Sequence, residues 1–175
     1  MQGDKIVITG ITKEAQSDKR NRILEIPAEI GKMPVIGIAE GAFAGYPLID
    51  VTLSEGLFEI GRGAFYGCNL NEITIPASVY YIAPRAFGAN YGMKEINVQE
   101  ENETYCDFDG VLYNKELTIL VQVPANFNGE EFVLSDSVKV IGEYAFGNCR
   151  NLKRLVMDEA ALEIREKAFW NTALE

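Results

Sequence analysis

Apolar and polar positions alternate along this chain, and a longer period is laid over that alternation. Short runs such as Val51-Thr52-Leu53, Ile73-Thr74-Ile75, Phe132-Val133-Leu134 and Leu155-Val156-Met157 point alternately in and out, as strands with one buried face do. Fourteen residues after the start of each run stands the Phe of an Ala-Phe pair: Ala64-Phe65, Ala86-Phe87, Ala145-Phe146 and Ala168-Phe169. A fifth pair, Ala42-Phe43, precedes them, so the successive Phe spacings are 22, 22, 59 and 23. Five residues before each Phe lies an Ile, at positions 38, 60, 82, 141 and 164. Self-similarity held at two offsets with a period of 22 to 23 residues marks a solenoid, in which each unit buries its apolar side against its neighbours.

These positions predict one coil in outline. The strand pairs in parallel with its equivalents about 4.8 Å away. The segment ending Val79-Tyr80-Tyr81-Ile82 turns the corner and adds a second short strand. The Ala-Phe segment is expected as a short helical or 3₁₀ turn on the opposite side, with Phe43, Phe65 and Phe87 stacked into a spine. Burial of each ring contributes about 2–3 kcal/mol, and truncation of Phe65 to Ala is expected to cost about 3–5 kcal/mol.

Two stretches depart from the period. In residues 1–34, Ile6 to Ile11 and Ile23 to Ile26 read as strands separated by the polar, turn-like Thr12 to Asn21, and an antiparallel pair there would cap the stack. Within the 59-residue gap, Ile96-Asn97-Val98 starts on schedule, but Gly110 stands where the Phe is expected. Asp109-Gly110 between apolar runs is a hairpin signal, and the runs up to Val123 read as a three-stranded meander. Asn126 to Glu131 leads back into register, which makes 99–131 an insert between regular repeats over 35–98 and 132–175 of a single domain.

The repeat Leu70-x-x-Ile73-x-Ile75-Pro76-x-x-Val79-x-x-Ile82-x-x-x-Ala86-Phe87 resembles the BspA-like, or treponemal-type, leucine-rich repeat. Gly61 and Gly142 supply the Ile-Gly of that pattern, and Cys68 and Cys149 its Cys three residues after Phe. Asp109-Gly110-Val111-Leu112-Tyr113 is similar to a segment often found between such repeats. Departures are Ala83 and Arg165 for Gly, and Tyr46, Asn90 and Thr172 for Cys, and each is expected to weaken its own coil. The resemblance implies an α/β fold: a right-handed leucine-rich-repeat solenoid with a parallel sheet on one face, short helical turns opposite and an inserted β-hairpin or meander. It also implies secreted or surface-anchored bacterial proteins that bind other proteins, in some members extracellular-matrix components of a host. No catalytic residues come with it.

Composition narrows the chemistry. The chain has 175 residues and no histidine, so Ser or Cys triads of the usual kind and most catalytic zinc sites lack their imidazole. Carboxylate chemistry stays open, with Glu100 and Glu103 as its candidates. Sixteen Lys+Arg against 26 Asp+Glu give a net charge of −10, which repels nucleic acid and anionic membranes. No apolar run reaches the ~18 residues of a membrane span, and Met1 to Lys5 begins no apolar signal core. No cofactor or metal is expected.

Candidate motifs read mostly as structure. Gly61-x-Gly63-x-x-x-Gly67 is one residue off a dinucleotide fingerprint and fits turn geometry better. Asp107-x-Asp109-Gly110 lacks the third oxygen position and the closing Glu of a calcium loop. Cys68 and Cys149 lie too many coils apart for a disulfide and are expected as buried thiols. Asn102-Glu103-Thr104 is a glycosylation sequon on an expected surface loop.

The remaining candidate is a surface. Strand alternation turns Asp50/Thr52, Glu72/Thr74 and Glu95/Asn97 outward, with Glu131/Val133 and Arg154/Val156 continuing the row. Carboxylates repeating at one position on neighbouring strands repel one another, and a basic protein partner would relieve them. The expected function is therefore protein binding without catalysis, with Asp50, Thr52, Glu72, Thr74, Glu95, Asn97 and Arg154 as contact residues. A salt-screened face on a structural spacer or stalk is the alternative.

Overall fold

The structure, a computed structural model, describes residues 4–12, 22–157 and 162–175. The Thr12 to Asn21 turn therefore falls, from residue 13 on, outside the described residues.

The alternating runs form short strands because each offers a β-branched or aliphatic inner face only two or three residues long. In chain order they are β1 (Ile6–Ile8), β2 (Ile23–Ile26), β3 (Glu29–Ile30), β4 (Met33–Ile38), β5 (Asp50–Leu53), β6 (Glu59–Ile60), β7 (Glu72–Ile75) and β8 (Tyr81–Ile82). There follow β9 (Glu95–Val98), β10 (Tyr105–Phe108), β11 (Val111–Asn114), β12 (Ile119–Gln122), β13 (Glu131–Val133), β14 (Val140–Ile141), β15 (Arg154–Val156) and β16 (Glu163–Ile164). The long strands make one row, in parallel pairs β2–β5, β7–β9 and β13–β15, rather than an uninterrupted sheet. The short corner strands make a second row, with β1, β4, β6 and β8 parallel in one sheet and β12, β14 and β16 parallel in another.

The expected antiparallel cap does not form. Ile8 aligns with Ile38 and Ile23 with Asp50, both in parallel ladders. The physical reason is periodicity. Ile8 carries the corner position of a coil, and its carbonyl accepts from Ala39 N at 2.8 Å, just as that of Ile38 accepts from Gly61 N. The two strands thus extend the two rows and do not meet each other.

No helix occurs among the described residues, so the expected helical turns over the Ala-Phe segments are corrected to successive tight turns. Residues two before and two after every repeat Phe have positive φ: Gly41 and Gly45, Gly63 and Gly67, Arg85 and Ala89, Tyr144 and Asn148, Lys167 and Asn171. A left-handed residue at every fourth position cannot continue a right-handed helix. Backbone N–H groups alternate in consequence. In the first Ala-Phe coil Ala42, Ala44 and Tyr46 donate locally to Ala39, Gly41 and Phe43, whereas Gly41, Phe43 and Gly45 donate to Arg62, Ala64 and Tyr66 of the next coil. The turns therefore form a hydrogen-bonded ladder along the stack.

Inside, Phe43 stacks on Phe65 at 5.2 Å and Phe65 on Phe87 at 5.9 Å, the expected spine. It then stops. Val123 N donates to Ala145 O at 2.7 Å, the bond that Phe65 N makes to Ala86 O, so Val123 and not Gly110 occupies the Phe place of the insert coil. The spine resumes with Phe146 on Phe169 at 5.2 Å. The core accordingly divides into one apolar cluster around Phe43, Phe65 and Phe87 and another around Phe132 and Phe146. Between them the meander forms as predicted, β10–β11–β12 pairing antiparallel around Asp109-Gly110 and then Leu117.

Asn90 bears on the expectation that a departure from Cys weakens its coil. Cys68 Sγ donates to Phe43 O at 3.2 Å, and Cys149 Sγ lies 3.8 Å from Val123 O, the equivalent carbonyl. Asn90 Nδ2 reaches the same place, donating to Phe65 O at 2.9 Å, and adds a bond to Phe87 O at 2.8 Å. Its Oδ1 accepts from Leu70 N at 3.1 Å. The fully buried amide thus makes three backbone hydrogen bonds, whereas a thiol has a single hydrogen to donate.

Candidate functional site

The outward positions of the strands stand where alternation puts them. Val51, Leu53, Ile73, Ile75 and Ile96 are buried, while Asp50, Thr52, Glu72, Thr74, Glu95 and Arg154 are exposed and Asn97 is half-buried. Glu72 is the direct register partner of Glu95, and Thr74 of Asn97. Asp50 faces Ile23 in the other pair, so direct register opposition of carboxylates falls at Glu72 and Glu95. Farther along, Glu131 is the register partner of Arg154 and forms an ion pair with it. Among the described residues, charge is therefore matched at one end of the row and unmatched at the other.

The row does not run straight from β9 to β13. The hairpin tip enters between them: Ile96 N donates to Gly110 O at 2.9 Å, and Asp107 Oδ1 accepts from Val98 N at 2.8 Å. Gly110 has φ +72, and a Cβ there would lie 2.8 Å from Glu95 Cγ, so glycine is required both by the turn and by contact with the acidic row. The Asp107/Asp109 pair is accounted for by the same geometry, one carboxylate capping a strand edge and the other, with φ 50, forming the turn. The tip leaves Phe108 62% exposed beside Val133 at 66%, and Phe108, Asp109, Phe127, Glu131 and Val133 line a shallow groove of about 190 Å³. Alternation in the sequence places Val133 in the row, but no spacing marks Phe108. The hairpin signal was legible, but its lateral docking onto β9 was not.

The other motifs resolve into packing. A Cβ on Gly61 would come within 2.6 Å of the backbone of Ala39 and Glu40, which explains the glycine without a phosphate. All three cysteines are free, and burial pushes the thiols of Cys68 and Cys149 up to about 12, far from nucleophilic thiolates. The sequon lies on no surface loop. Asn102 is 1% exposed, its Nδ2 donating to Pro76 O and Val79 O and its Oδ1 accepting from Thr104 N and Tyr105 N. Glu100 and Glu103 remain exposed, and no group of three metal-ligating side chains occurs among the described residues.

On the turn side, side chains bridge the insert in a way no spacing announced. The Arg85 guanidinium lies 4.4 Å from the Tyr66 ring centroid and 4.7 Å from that of Tyr144, with Trp170 at 5.6 Å. Arg150 covers Tyr91 at 4.6 Å and donates to its hydroxyl at 3.1 Å. The hydrogen bond to Glu143 raises the pKa of Arg62 above its ordinary value. These contacts fasten the coils on either side of the insert and leave the strand face free.

The family profile described as the BspA type leucine rich repeat region matches residues 25–127 and 118–175, in six copies. Among curated proteins none matches the chain. Among solved structures, a leucine-rich-repeat protein from Eubacterium ventriosum superposes with a TM-score of 0.71 at 24% identity over 96% of this chain and 57% of its own. A leucine-rich cell surface protein from Faecalibacterium prausnitzii gives 0.73 at 27% identity, covering 91% of this chain and 42% of its own. The pneumococcal vaccine antigen PcpA gives 0.61 at 19% identity, covering 99% and 63%. The first and third likenesses show the fold. This chain spans 42% to 63% of the length of these relatives.

Proposed function

Since the chain belongs to the BspA-type leucine-rich-repeat family, we propose that it is a non-catalytic protein-binding domain of a bacterial surface or secreted protein. Its partner docks on the outward strand face. One observation carries this reading: Glu72 and Glu95 are direct register partners, both exposed, with no ion pair to either among the described residues. Like charges opposed on neighbouring strands cost stability, and a basic surface brought against them turns that cost into attraction. Asp50, Thr52, Thr74, Asn97 and Arg154 complete the contact area, and an adhesive role toward host proteins is the specific form proposed. The surface location is supported by the Faecalibacterium cell surface protein, whose fold this chain shares.

The test is an array of extracellular-matrix and surface proteins probed with the wild-type domain and with a variant carrying Asp50→Lys, Glu72→Lys and Glu95→Lys. A partner whose affinity falls on reversal supports the reading. Unchanged affinity for every partner found removes this face.

A spacer role is the second reading, favoured by the turn ladder and by the arginine contacts across the insert, which stiffen the stack. Single-molecule stretching distinguishes it, since a spacer would bear load while binding none of the arrayed proteins.

A further inference from the structure

The outward face has two chemically different halves that meet at the hairpin tip. On one side Glu72, Glu95 and Asp109 present carboxylates without a counter-cation among the described residues, Glu95 lying against Gly110 of the tip. On the other, Phe108 and Val133 stand more than 60% exposed over a groove backed by the half-buried Phe127. Of the two carboxylates that line that groove, Asp109 and Glu131, Glu131 is already neutralised by Arg154.

We infer that the partner engages this face through an extended segment that places basic side chains on Glu72, Glu95 and Asp109 and an apolar side chain in the Phe108–Val133 groove. This deepens the proposed function and rests on its reading of the strand face. Three features select this occupant. Among the described residues the carboxylates are unmatched, so a cationic segment gains attraction without breaking a pair seen there. Two exposed apolar side chains on either side of a groove provide an anchor site of the kind that dominates peptide binding, while the surrounding charge sets register. Finally, the distance fits. From Glu72 across Glu95 and the tip to Val133 is roughly three strand spacings, about 14 Å, which an extended chain crosses in about four residues. A basic pair followed three to five residues later by a large apolar residue is the expected pattern.

The probes are fluorescein-labelled ten-residue peptides, measured by fluorescence polarisation against the whole chain. One carries Lys-Arg and, four residues on, Trp. Three controls retain only the basic pair, retain only the Trp, or replace Lys-Arg by Glu-Glu. The combined peptide is expected to bind about tenfold or more tighter than either single-feature control, because the anchor adds apolar burial to the charge term. Phe108→Ser and Val133→Thr, both at exposed positions that leave the core intact, are expected to erase the gain from Trp while leaving basic-only binding unchanged. Glu72→Lys is expected to erase the gain from Lys-Arg, and that gain is expected to shrink as salt rises.

If the combined and basic-only peptides bind equally, and Glu72→Lys still weakens both, the two-part inference is overturned while the acidic-face function stands. If neither Glu72→Lys nor Phe108→Ser changes the binding of any peptide, the inference and its parent reading fail together on this face. Absence of binding by all four peptides overturns the extended-segment inference. The array of folded proteins then decides the function separately.

Discussion

Arg62 donates to the carboxylate of Glu143 at 2.8 Å, although 81 residues separate them. The pair spans the meander, and beside it Arg85 lies between Tyr66 and Tyr144, so the turn side holds the two core clusters together where the Phe spine is broken. The two kinds of contact are expected to differ in weight. Arg62 and Glu143 keep 41% and 25% side-chain exposure, and Arg62→Ala should lower unfolding stability by about 1 kcal/mol or less. Arg85→Ala loses two ring faces and should cost about 1–3 kcal/mol. Urea unfolding of both, with an Arg85/Tyr144 double-mutant cycle, measures the difference. A second transition in Arg85→Ala would show the two clusters unfolding separately.

At Asn90 the substitution to test is the family's own residue. Asn90→Ala strands the Leu70 N–H and removes a donor from the Phe65 and Phe87 carbonyls, a loss of about 2–4 kcal/mol. Asn90→Cys restores one donor toward Phe65, as Cys68 serves Phe43, and should recover part of that loss. Equal stability of the Cys variant and the wild type would contradict the account given for the buried amide. The midpoint of denaturant unfolding decides.

The unmatched carboxylates predict a gain from charge reversal in the unbound protein. Glu72→Lys places a cation opposite Glu95, the arrangement that Arg154 and Glu131 already have, and should add about 0.2–1 kcal/mol. Thermal unfolding at low and high salt checks it, the gain shrinking as salt rises. A variant that is more stable yet binds less well would place the like-charge opposition among features kept for binding.

Alkaline pH should unfold the protein before the outer charges alone would. Burial raises the thiols of Cys68 and Cys149 from 9.0 to about 12. In the unfolded chain they ionise near 9, so between pH 9 and 12 the native state holds more protons and its stability falls as pH rises. Below 9 that contribution is fully present. Tyr113, raised from 10.0 to about 12 mainly by burial, adds to the slope above 10. Unfolding free energy measured from pH 7 to 11 should be level and then decline by up to about 1.4 kcal/mol per pH unit for each group, a ceiling that partial exposure lowers. The Cys68→Ala, Cys149→Ala double variant should decline more gently.

Periodic positions made the solenoid legible in the sequence because a repeat restates its own packing several times. Inward Ile and Phe, outward Asp50, Glu72 and Glu95, the hairpin at Asp109-Gly110 and the buried thiols all follow from alternation, spacing or turn chemistry acting over a few residues. The turn conformation is not legible in the sequence because Arg85, Ala89, Tyr144 and Lys167 adopt positive φ without being Gly or Asn, held there by the inter-coil ladder and not by their own preference. Only the tertiary structure decided what the insert does. It sets Val123 in the Phe place, lays the tip against Glu95, exposes Phe108 beside Val133 and brings Arg62 and Arg85 to Glu143 and Tyr144. Such contacts join residues tens of positions apart through one irregular unit, and a period carries no information about the unit that breaks it.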